Sequence, residues 1–101
     1  MGKGKIIWSP SAKSKLFEIL DYYAYRNKSK TFSVKLYNRF KKDLSNLLKH
    51  PELGLKTELD SVRGLIVQNF IFFYEINEKD IIVHTLWDSR QNPDELNKKG
   101  S

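Results

Sequence analysis

Apolar residues recur at spacings of three and four along the first half of the chain, and in alternation or short runs along the second. The first half opens with Lys5 and the apolar run Ile6-Ile7-Trp8, which reads as a short strand ending at Ser9-Pro10. Ser9 can cap a helix, and Pro10 suits the first helical position, where no N–H is required. The predicted helix runs to about Arg26 and gathers Ala12, Leu16, Ile19, Leu20 and Tyr23 on one face. Lys13, Lys15, Glu18 and Asp21 fall elsewhere and are expected to face water. The polar turn at 27–30 is short enough to send the chain back antiparallel. A second helix is predicted from Thr31 to about His50, with a stripe of Phe32, Leu36, Phe40, Leu44, Leu47 and Leu48, and Pro51 stops it.

In the second half, Leu55, Thr57 and Leu59 alternate with Lys56 and Glu58, the mark of a strand with one wet face. Residues 65–74 are rich in β-branched and aromatic side chains and give the strongest strand prediction. A turn at 77–80 leads to a returning strand over 81–87, then a loop at 88–93 and a short last helix opening at Pro93. The expected fold is α+β: an N-terminal strand, then an antiparallel helix hairpin packed on one face of a small, mostly antiparallel sheet. Read as a single strand, 65–74 is apolar on both sides. Leu65, Val67, Ile71 and Phe73 take one side, and Ile66, Phe70, Phe72 and Tyr74 the other. A helix hairpin covers one face only. The second face therefore implies a dimer or a groove for a partner chain, unless sheet twist and the C-terminal segment cover it.

Composition narrows the classes. With 101 residues, the chain is long enough for one domain and too short for two, so residues 1–101 are expected to form one domain with flexible ends at 1–4 and 98–101. There are no cysteines and only two histidines, His50 and His84, so neither a disulfide framework nor a metal site or other cofactor is expected. No stretch approaches a membrane span, and the three-residue apolar run near the N-terminus is too short for a signal peptide; a cytoplasmic protein is expected. The net charge of +6 attracts nucleic acid and acidic protein surfaces alike.

Taken together, the segments resemble the RelE/ParE superfamily of toxins from type II toxin–antitoxin systems, the plasmid-stabilisation type. The likeness is carried by Trp8-Ser9-Pro10 and Ala12 with Leu16, Ile19 and Tyr23, and by His50-Pro51-Glu52-Leu53-Gly54 closing the second helix. Val62-Arg63-Gly64-Leu65-Ile66-Val67, Phe72-Phe73-Tyr74-Glu75-Ile76, Ile81-Ile82-Val83 and Asp88-Ser89-Arg90-Gln91-Asn92-Pro93 continue it. The resemblance spans about residues 5 to 96. It implies a toxin held inactive by a cognate antitoxin seated in an apolar groove, for which Phe70, Phe72, Tyr74 and Trp87 are the candidate contacts. No sequence-specific DNA reading by the toxin itself is expected, because the antitoxin supplies that.

Two activities share the resemblance: cleavage of messenger RNA on the ribosome, and poisoning of DNA gyrase. The first needs groups that activate a 2′-hydroxyl, stabilise a phosphorane and protonate a leaving oxygen. Arg63 and Arg90 match the family's phosphate-holding arginines; Lys56 could neutralise a phosphate and His84 could carry a proton. The competing reading makes His84 a strand residue bonded to backbone, and Arg63 a partner of Asp60, of Asp88 or of the turn. After Trp87 the chain lacks the Tyr or His-Tyr pair that many ribonuclease members carry. That departure favours the gyrase branch, in which surface residues such as Tyr25, Arg26, Lys35 and Arg39 would meet the target. A basic nucleic-acid-binding protein, with Tyr22, Tyr23, Tyr25 and Tyr37 stacking on bases, is the more distant alternative.

Overall fold

Ser9 sets the geometry of the whole N-terminal half. In the computed structural model, which describes residues 4–89, its hydroxyl accepts from the Ala12 N–H at 3.0 Å and donates to the His84 carbonyl at 2.8 Å. One side chain thus starts the first helix and ties it to the last strand. Strand β1 (Ile6–Trp8) pairs parallel with β5 (Asp80–Asp88), through Ile6 opposite Ile81 and Trp8 opposite Val83. Helix α1 (Pro10–Asn27) ends where Lys28 turns left-handed at φ 51°, and α2 (Thr31–Asn46) returns alongside it. Ser33 on α2 is buried and donates to the Leu20 carbonyl on α1 at 2.6 Å, which locks the two helices.

A single 3-10 turn (Pro51–Leu53) leads to β2 (Leu55–Lys56), β3 (Val62–Val67), β4 (Phe70–Asn77) and β5. The sheet has five strands in the order β1-β5-β4-β3-β2, antiparallel except for the β1–β5 pair. The α+β arrangement expected from the sequence is what the chain adopts.

Three local differences matter. The α-helical part of α2 closes at Asn46, short of His50. Phe32 is 42% exposed, and Ser33 takes the buried position beside it. Above all, residues 65–74 are not one strand. Gln68 adopts φ 57°, and Gln68-Asn69 forms a two-residue turn that brings Val67 opposite Phe70. Because directly opposed residues share a face, Leu65 and Val67 lie on the same side as Phe70, Phe72 and Tyr74. Ile66, Ile71 and Phe73 lie on the other.

The helices cover the first of those faces. Phe40 of α2 stands edge-on to Phe70 and Phe72, at 5.1 and 4.9 Å between centroids, and Tyr23 and Trp8 meet the same two rings from α1 and β1. Leu16, Ile19, Leu36, Leu44, Val83 and Leu86 complete this core. Such edge-to-face aromatic packing contributes about 0.5–1.5 kcal/mol per pair beyond simple burial.

Candidate functional site

The sheet's other face is the feature that the helices and strands of the described residues leave uncovered. Strand register places Ile66 of β3, Ile71 and Phe73 of β4, Ile82 and Thr85 of β5, and Ile7 of β1 on this side. Ile66 is 57% exposed, and none of the group is fully buried. Gly64, opposite Phe73, is itself buried: a Cβ there would lie 3.3 Å from the Ile71 side chain and 3.7 Å from the Phe73 ring. The two side chains therefore lean over the glycine and make the apolar surface continuous. No described residue of α1 or α2 in the core packs on this side.

The apolar groove foreseen from the sequence needs correction in its residues. Phe70, Phe72 and Tyr74 are at most 1% exposed and lie beneath the helices, so they offer nothing to a partner. The physical reason is the Gln68-Asn69 turn, which inverts the alternation assumed for an unbroken strand. Trp87, opposite Ile71, is half-buried at the rim, and its ring reaches α1, with the Lys15 ammonium 5.4 Å from the centroid. Lys15, Glu18, Asp21, Tyr22, Trp87 and Asp88 line a cleft of about 420 Å³ there.

At the centre of the bare face stands one polar pair. A bulge between Phe73 and Tyr74 admits His84, whose Nε2 lies 2.9 Å from Glu75 Oε1. His84 was expected to be partly buried against backbone, or else catalytic. It is exposed, with a carboxylate as its partner.

Arg63 lies elsewhere. Opposite Tyr74 and Lys56 in the register, it projects on the helix side of the sheet. Its Nη1 donates to the Gly54 carbonyl at 3.0 Å and reaches the Glu52 carbonyl at 3.5 Å. Of the alternatives weighed for it, the bond to the turn is the one formed. Tyr74 reinforces that turn, because its hydroxyl donates to the Pro51 carbonyl at 2.6 Å and accepts from the Gly54 N–H at 2.9 Å. Gly54 has to be glycine for steric reasons: an added Cβ would fall 2.5 Å from the Tyr74 hydroxyl. Burial pushes the Tyr74 phenol above its ordinary value of 10.0, the bond from Gly54 and the nearby Arg63 charge pull the other way, and Glu52 adds to the rise.

Among the described residues, the candidate nuclease residues are not all brought together. Lys56 and Arg63 are cross-strand neighbours, whereas Arg63 and His84 lie on opposite faces of the sheet. Arg90 lies outside the described residues. Asp88, just before it, is buried and structural: it accepts from the Tyr23 hydroxyl at 2.8 Å and from the Asn69 amide at 3.0 Å. That contact binds α1, the Gln68-Asn69 turn and the end of β5 at one carboxylate. The sequence offered Asp88 as part of a terminal motif and as a partner for Arg63, and a buried acid within reach of a tyrosine could not be read from spacing.

The four candidate target contacts lie on the helix hairpin and are all exposed. Tyr25 is 86% exposed, and Arg26 reaches the Tyr22 hydroxyl at 3.2 Å. Arg39 pairs with Asp43 at 2.9 Å, and Lys35 stands on the same outer surface of α2. Among the described residues, no three His, Cys, Asp or Glu side chains converge in a way that could hold a metal ion, and no helix is long and apolar enough to cross a membrane.

Residues 6–93 match the family described as the ParE toxin of the type II toxin–antitoxin system parDE. Among solved structures, the fold is similar to a chain titled as the chromosomal ParDE toxin–antitoxin system from P. aeruginosa, with a TM-score of 0.70. The identity is 18%, over 83% of this chain and 94% of that one. No curated protein sequence matches this chain.

Proposed function

Because the chain belongs to the ParE toxin family of type II toxin–antitoxin systems, we propose that it inhibits DNA gyrase by binding, and that its antitoxin silences it by covering the bare sheet face. The chain is the toxin half of such a pair, and an antitoxin is its natural partner. What supports the binding reading is the separation of Arg63 from His84. An RNA-cutting site needs a phosphate clamp and a proton carrier within reach of one another. Here the guanidinium serves two backbone carbonyls on one face while the imidazole serves Glu75 on the other. Inhibition by contact needs no such pair. Tyr25, Arg26, Lys35 and Arg39 offer the exposed aromatic and basic surface that a large protein target could engage.

On the antitoxin side, Ile66, Ile71, Phe73 and Ile82 give an apolar centre of the kind on which partner segments are anchored. A net charge of +6 favours an acidic partner and speeds its approach. The test is a supercoiling reaction with purified gyrase and relaxed plasmid, run beside primer extension on messenger RNA in a reconstituted translation reaction. The expected result is blocked supercoiling, uncut messenger and relief by the antitoxin. Cuts within ribosome-bound codons, with supercoiling untouched, would overturn the reading and make the protein a ribosome-dependent endoribonuclease.

A further inference from the structure

The outer surface of α2 has a composition that neither the fold nor the antitoxin face accounts for. The helix buries Ser33, Leu36, Phe40 and Leu44. On the opposite side, Lys35, Arg39 and Lys42 recur at spacings of four and three, with Asn38 and Asn46 beside them, and all five are exposed. At about 1.5 Å of rise per residue the three cations span roughly 10 Å, a length over which a duplex presents about six phosphate charges. The acid beside the stripe is Asp43, which holds Arg39 Nε at 2.9 Å. An exposed pair of this kind is weak, and the guanidinium keeps its other donors. The first turn of α2 carries no acidic residue, so the positive end of the helix dipole adds to the same field, as do exposed Lys28 and Lys30 just before it.

We infer that this face of α2 binds the phosphate backbone of double-stranded nucleic acid without reading its sequence. Lys35 and Arg39 also belong to the surface proposed for the protein target, but the stripe itself holds only cations and amides, with exposed Phe32 and Val34 at its edges, whereas specific protein interfaces have an apolar centre. Phosphate contacts, by contrast, are made by Lys, Arg and Asn side chains, which position a protein on a duplex and carry no sequence information. The inference shares Lys35 and Arg39 with the surface proposed for gyrase, but binding to bare duplex is measured without gyrase, so either can fail while the other stands. If both hold, the toxin touches the DNA that its target is handling.

The experiment is fluorescence anisotropy with a labelled duplex of scrambled sequence, titrated with the full chain from about 50 mM salt upward. Binding should weaken with salt, log K falling against log salt with a slope of about −2 to −3, at roughly 0.9 per phosphate neutralised. The variant K35Q/R39Q/K42Q, whose glutamines have a helix propensity close to that of Lys and Arg, should bind at least about tenfold more weakly and with a flatter slope, its melting curve little changed. A control, K5S/K13S/K79S, removes the same charge from exposed positions elsewhere and should bind as the parent does. K35R/K42R, which keeps the charge, should also bind normally, showing that the positive charge and not the lysine side chain itself is what binding requires. Absence of binding at the lowest salt would overturn the inference, as would an equal loss in the two triple variants. So would displacement by polyglutamate as readily as by unlabelled duplex at equal charge, which would assign the stripe to an acidic protein.

Discussion

The two faces of one sheet are built from alternate residues of the same strands, and they are almost equally apolar. On one, Phe70, Phe72, Tyr74, Val83 and Leu86 are sealed under the helix pair, with exposure of 1% or less. On the other, Ile66, Ile71, Phe73 and Ile82 lie under neither α1 nor α2, the helices of the described residues. The difference cannot come from hydrophobicity. It comes from where the chain runs next: β1 leads into α1 through the Ser9 cap, and both helices are thereby fixed on a single side. The covered face supplies the stability of the fold, and the other is the face proposed above for the antitoxin. Their polar groups differ in the same sense. Those on the covered side, Tyr74, Arg63 and Asp88, tie the chain to itself. The pair on the bare side, His84 with Glu75, is exposed and ties β4 to β5 alone.

Substitutions across the two faces should separate these roles. Phe72→Ala, in the covered face, should cost about 3–5 kcal/mol in urea denaturation, because it removes a ring contacted by both Phe40 and Trp8. Tyr74→Phe should cost about 1–3 kcal/mol, since the Gly54 N–H and the Pro51 carbonyl both lose their hydroxyl partner. The same variant has a pH signature. The Tyr74 phenol is raised above 10.0 in the folded protein, so the unfolded chain gives up its proton first. Its contribution is complete below pH 10.0 and is lost as the pH climbs from there through the folded value. Melting curves at alkaline pH should therefore fall more steeply for the parent than for Tyr74→Phe, and parallel curves would contradict the assignment.

Arg63→Ala should lower stability by about 1.5 kcal/mol through the loss of its bonds to the turn, while leaving gyrase inhibition by the folded fraction intact. Full loss of toxicity from a protein of unchanged stability would instead return Arg63 to a direct role at the target. At the bottom of the scale, His84→Ala should move the melting free energy by less than about 1 kcal/mol, because the pair with Glu75 is exposed.

Most of the architecture was legible because it rests on long periodic signals. The stripe of Ala12, Leu16, Ile19 and Tyr23 and the cap at Ser9 marked α1, and the charged turn at Glu78-Lys79 marked the last hairpin. The Gln68-Asn69 turn was not legible. Two-residue hairpin turns with φ above zero are usually signalled by Asn-Gly or Asp-Gly, and Gln at φ 57° carries no such mark. Missing it reversed the side chains of everything after it, which is why Phe70, Phe72 and Tyr74 were placed in a groove and Phe73 was not. That an uncovered face exists could be inferred from counting layers; its membership required the register. Likewise, Arg63 announced itself by type, but whether it met a carboxylate, a carbonyl or a substrate depended on Gly54, nine residues away.

The most direct test of the division between the two faces is isothermal titration of the antitoxin into Phe73→Ser and Ile66→Ser, read beside their urea denaturation curves. Ile66→Ser, at a position 57% exposed, should shift stability by no more than about 0.5 kcal/mol. Both variants should bind the antitoxin at least about tenfold more weakly than the parent, a loss of about 1.4 kcal/mol. Full-strength antitoxin binding by both folded variants would contradict that division, and would place the antitoxin on the helices instead of on the bare sheet.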